Sequence, residues 1–141
     1  MFFDPDNNIN KLCASGMLAE GEGNGEKAAQ LFLQAWNEAI TPMEKFTAAH
    51  YVARHQPTVA DKLKWDQVAL ANALEAGEEA RPAYSSLYLN IARCYEDMND
   101  REKAGRYYQL ALEHIGSLPE DGYGNMIRSG IHKGIERIGE P

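Results

Sequence analysis

The chain has 141 residues, 44% of them hydrophobic and 25% charged, which suits one folded domain with its own core rather than a disordered segment. Its formal charge of −7, with no run of Lys and Arg to offset it, disfavours nucleic-acid binding. Two cysteines far apart in the sequence, Cys13 and Cys94, a start ("MFFDPDNN") without the regions of a signal peptide, and no apolar run of about 18 residues predict a cytoplasmic protein with free thiols and no membrane segment.

Ala, Leu, Glu, Lys and Gln fill the long segments and no alternating Val/Ile/Thr run occurs, so the expected fold class is all-α. Helices are predicted over about 7–21, 26–40, 43–55, 59–76, 83–98, 101–115 and 123–138. Before the first, "DPDNNIN" sets Asp4, Asp6 and Asn8 at alternating positions, as at the start of an EF-hand loop. Ile9 stands where that loop needs glycine and Ser15 where it needs glutamate, so the segment reads as an N-capping lead into the helix.

Between the first two helices lies "EGEGNGEKAA", which has the composition of a phosphate-binding loop. Lys27 follows Glu26 instead of glycine, no Ser or Thr comes next, and Glu20, Glu22 and Glu26 would repel an anion. The alternating Gly21, Gly23 and Gly25 therefore predict a tight turn. "TPME" opens the third helix with Thr41 as N-cap and Pro42 at its first position, and "HYVARH" closes it. There His50 and Arg54 share a face, whereas His50 and His55, five apart, do not form a metal pair, so no metal is expected.

"QPTVAD" turns at Pro57 and starts the fourth helix with Thr58 and Asp61 as a capping-box variant. "MNDREKA" turns at Asn99-Asp100, with Asp100 as N-cap. In the last helix Ile127, Ile131, Ile135 and Ile138 recur on one face, while Arg128, Lys133, Glu136 and Arg137 fall off it and keep it soluble. Gly130 and Gly134 read as close-packing positions, and Trp36 and Trp65 as helix-packing residues.

The helices contain a recurring pattern. Tyr88-x2-Ile91-Ala92-x2-Tyr95 is followed by Ala104-x3-Tyr108-x2-Ala111, and Gly16 by Ala28-x3-Phe32-x2-Ala35. Ala69 lies 34 residues after Ala35, and the third unit follows Ala69 by 42, which leaves about eight extra residues around "GEEARPAY". Over about 9–118 this resembles the tetratricopeptide repeat, whose period is about 34. The middle unit departs from the pattern at Lys62 and Asp66, where small and aromatic residues are usual.

The resemblance implies a superhelix of antiparallel helix pairs in one domain, 1–141, with units at about 9–42, 43–84 and 85–118 and a capping helix at about 123–138. It also implies a concave groove for a peptide or protein partner, lined by His50, Arg54, Asn90, Arg93, Glu96 and Asp97, with Asn90 placed to bond a ligand backbone or carboxylate. The implied function is a binding scaffold with no catalysis and no cofactor. The alternatives are a self-associating structural protein, giving a homodimer, and an enzyme such as a methyltransferase. The latter would need strands, a glycine-rich loop after the first of them and an Asn/Asp-Pro-Pro-aromatic motif, and the sequence has neither the strands nor the motif.

Overall fold

In the computed structural model, which describes residues 4–139, the order is α1 (Asn8–Gly21), α2 (Gly25–Glu38), α3 (Pro42–Ala53), α4 (Val59–Ala76), a 3₁₀ segment (Gly77–Ala83), α5 (Tyr84–Asp97), α6 (Arg101–Glu113), a short 3₁₀ turn (Ile115–Ser117) and α7 (Gly122–Gly139). No β-strand occurs among the described residues, and none of their helices is long and apolar enough to cross a membrane. The chain divides into two compact units, Met1–Glu79 and Ala80–Pro141. The segment expected as an insertion around "GEEARPAY" is the 3₁₀ helix, with Pro82 inside it.

Local chemistry sets the helix ends. Asn7 caps α1, its side chain accepting from the backbone N–H groups of Ile9 and Asn10. Thr41 forms a full capping box with Glu44, and Pro42 follows at the first helical turn, where its missing N–H costs nothing. Thr58 accepts from Asp61 N–H and Asp100 from Lys103 N–H, as their positions predict. Asn24, inside the glycine-rich turn, is the cap of α2 and accepts from Lys27 N–H.

In the first unit α1 packs on α2 and α3, α2 on α3, and α3 on α4. A Cβ at Gly16 would overlap the Phe32 ring, so glycine at this point lets α2 sit close against α1. Phe32 is fully buried and stacks on Tyr51 of α3 at 5.0 Å. Ile9, Cys13, Ala28, Ala35 and Ala48 complete this core, and Trp36 and Trp65 meet edge to face at 5.2 Å beside it. Asp66 stands 34 residues after Phe32, but is a buried carboxylate that binds Lys62 Nζ at 2.6 Å. An ion pair one helical turn long thus replaces the aromatic of the pattern.

In the second unit α5 packs on α6, and α7 lies against both. Tyr108 is fully buried, and a Cβ at Gly134 would overlap its ring. Ile127 and Ile131 are buried, while Ile135 and Ile138 are half-buried. Arg137 does more than solubilise α7: it clamps the Glu96 carboxylate at 2.8 and 3.0 Å. Arg128 turns back to the carbonyls of Leu118 and Pro119 at 3.3 and 3.4 Å.

The two units share a set of features at a constant offset of 76 positions: Gly16 and Ala92, Glu20 and Glu96, Gly23 and Asn99, Asn24 and Asp100, Ala28 and Ala104, Phe32 and Tyr108, Ala35 and Ala111. The turns match bond for bond. Gly23 and Asn99 both take positive φ, 79° and 61°. Asn24 N–H reaches the Ala19 carbonyl and Asp100 N–H the Tyr95 carbonyl, each at 2.9 Å. This is the double hydrogen bond of a Schellman ending, which satisfies the last carbonyls of α1 and α5 and reverses the chain within three residues.

Candidate functional site

The expected groove residues fall into two groups, one in each unit. In the first, Arg54 is exposed but not idle. Its guanidinium donates to Glu20 Oε1 at 2.9 Å and lies 5.3 Å from the Tyr51 ring. His55 Nε2 meets the other oxygen of Glu20 at 2.7 Å. One carboxylate on α1 thus holds two side chains at the end of α3. His50, one turn earlier, is half-buried, and its Nδ1 is sealed from solvent without a hydrogen-bond partner. Burial first, then the positive charges of Arg54 and Lys62, push its imidazole down to about 4, so the ring is neutral near pH 7.

In the second unit Glu96 is the counterpart of Glu20. Its carboxylate accepts from Tyr108 Oη at 2.6 Å as well as from Arg137. The Arg137 hydrogen bonds hold the Glu96 carboxyl below the usual range, and burial with the Glu96 bond pushes the Tyr108 phenol up to about 12. Arg93 is exposed, and its guanidinium rests where a Cβ on Gly130 would come within 2.8 Å. Asn90 is half-buried and Asp97 exposed, and neither side chain makes a hydrogen bond to another described residue. Arg54 and Glu96 are therefore fasteners between helices, while Asn90 and Asp97 keep their polar groups available.

The sequence reading did not single out a cleft of about 460 Å³ in the first unit, where the starts of α1 and α3 meet the end of α4. The cleft is lined by Asn7, Asn10, Thr41, Met43, Glu44 and Thr47 together with Asp4, Glu75, Ala76 and Glu79. Glu44 organises it: one oxygen accepts from Ile40 and Thr41 N–H at 3.0 and 3.1 Å, the other from Asn7 Nδ2 at 2.8 Å. These bonds, led by that from Asn7, keep its carboxyl below the usual range. The Thr-x-x-Glu spacing at 41–44 was the readable signal, but it announces a helix start and not a cavity.

No protein-family model, no curated protein and no solved structure matches the chain. Among the described residues no group of three or more His, Cys, Asp and Glu side chains is placed to hold a metal ion.

Proposed function

We propose that this chain is a tetratricopeptide-like helical scaffold that binds a peptide or protein partner and carries out no reaction of its own. The observation behind the reading is the duplicated constellation at an offset of 76. A hairpin closes with the same Schellman turn, a fully buried aromatic stands at the same place in its second helix, and a carboxylate four residues past a small residue fastens the segment that follows the hairpin. Helix pairs that repeat such contacts bury a stripe on each neighbour and leave extended surfaces for binding. The charged side chains that look most chemical, Glu20, Arg54, Glu96 and Arg137, serve that assembly.

The reading is tested by cross-linked affinity capture with the folded full chain as bait and the heat-unfolded chain as reference. A partner held in near-stoichiometric amount by the folded bait alone is expected. Calorimetric titration with S-adenosylmethionine gives the opposing result: saturable binding there would overturn the scaffold reading in favour of an enzyme.

A further inference from the structure

Resting on the scaffold reading and deepening it, we infer that the cleft of the first unit receives a basic peptide segment, with an arginine or lysine side chain seated between Asn10 and Thr47. Both residues are nine-tenths or more buried, at 9% and 7% exposed, and both line the cleft. Asn10 Nδ2 donates to the Asp4 carbonyl at 2.8 Å, which fixes the amide orientation and leaves Oδ1 over. No described donor reaches that oxygen, and among the described residues it is not, as His50 Nδ1 is, both sealed and unpartnered. Thr47 Oγ1 donates to the Met43 carbonyl at 2.9 Å and keeps its own lone pairs. Two buried side chains thus offer acceptors to the cleft; the Thr47 hydroxyl has given its one donor away, and Asn10 has given one of its two N–H groups.

The surrounding charge points the same way. Asp4, Glu44, Glu75 and Glu79 all line the cleft, and no Lys, Arg or His does. Glu75 and Glu79 are exposed and bound to no other described residue. The starts of α1 and α3 would favour an anion, but the side chains of Asn7, Thr41 and Glu44 already take up N–H groups there. The end of α4 adds the negative pole of a helix.

A bare metal ion is a poor match, because the carboxylates are dispersed and do not converge. A guanidinium or ammonium group carries several N–H donors outward from one charge and can serve separated acceptors. The volume of about 460 Å³ exceeds one such side chain and leaves room for a second basic residue, for which the exposed Glu75 and Glu79 of the lining supply charge.

The probe is the peptide acetyl-Arg-Ala-Arg-Ala-Arg-amide, titrated calorimetrically into the full chain at low salt, with spermidine and the corresponding Glu peptide in parallel. We expect one saturable site for the Arg peptide, weaker binding of spermidine, none of the Glu peptide, and shifts of the Asn10 side-chain amide and the Thr47 amide in nitrogen-correlated NMR spectra. Glu75→Gln with Glu79→Gln should weaken the Arg peptide about tenfold. Glu102→Gln with Glu120→Gln, the same charge change at exposed sites of the second unit, should leave it unchanged.

Equal losses in the two double variants, shifts away from the cleft, spermidine binding as tightly as the peptide, or no saturable binding each overturn the assignment. The scaffold reading fails separately. A captured partner that Glu75→Gln/Glu79→Gln still holds leaves the scaffold standing and removes only the cleft.

Discussion

The ring of Tyr108 occupies the space in which a side chain at position 134 would begin, as the ring of Phe32 does at position 16. In a helix interior, alanine normally gains about 0.5–1 kcal/mol over glycine. At these two positions overpacking reverses the sign, because a Cβ would overlap a ring that is fully buried. Gly134→Ala and Gly16→Ala are each expected to destabilise by about 1–3 kcal/mol in urea titrations. Gly21→Ala, where a Cβ meets nothing within 4 Å, should be neutral or mildly stabilising.

His50 predicts a mild-acid instability. Its folded pKa is depressed from 6.5 to about 4, so the unfolded chain binds a proton that the folded chain refuses. The associated stability is complete above pH 6.5 and is lost as pH falls toward 4. The loss should be on the order of 1–3 kcal/mol. His50→Leu removes both the sealed unpartnered nitrogen and the titration, so its stability should be flat across that window in denaturant titrations at stepped pH.

The Glu96 latch gives a second window, lower on the pH scale. Its carboxyl is depressed below 4.5 by Arg137 and Tyr108, so its contribution is present above 4.5 and disappears as the folded group protonates. The Arg137 side chain is half exposed, which limits the effect to about 1 kcal/mol. Glu96→Gln should lower stability by that amount at pH 7, and the difference should shrink as pH falls below 4.5 and the folded carboxyl takes up its proton. Tyr108 provides the alkaline counterpart: its phenol, raised to about 12, should make the fold lose stability between pH 10 and 12, an effect that Tyr108→Phe abolishes.

The thiols should be silent in the folded protein. Cys13 is 0% and Cys94 2% exposed, they are not bonded to each other, and burial pushes the Cys13 thiol up to about 12. Ellman's reagent should find less than one thiol per chain under native conditions and two in denaturant. Fast reaction of Cys13 in buffer alone would contradict the packing of α1.

The helices were legible because their ends are local events. Thr41, Thr58 and Asp100 act on N–H groups three residues away, a distance the sequence displays directly. Asn24 is a capping residue set among glycines, whose freedom of φ is the stronger local signal and hides the cap. The placement of side chains on a shared surface was not legible. Arg137 meets Glu96 across 41 positions, and Arg54 meets Glu20 across 34, so neither pair shows in any window of sequence. The cleft is harder still, since it is the space left where three helix ends fail to fill a corner, and absence of packing has no motif. Asp66 shows the reverse case: its departure from the pattern was visible, but that its carboxylate would be buried against Lys62 was not.

Trp36 and Trp65, the only tryptophans of the sequence, face each other at 5.2 Å within the first unit. Their emission is therefore a built-in optical reporter of the first unit, whereas helical ellipticity sums over the whole chain. Comparing the two signals during unfolding measures how far one half of the molecule can melt on its own, with no dye attached and no residue replaced.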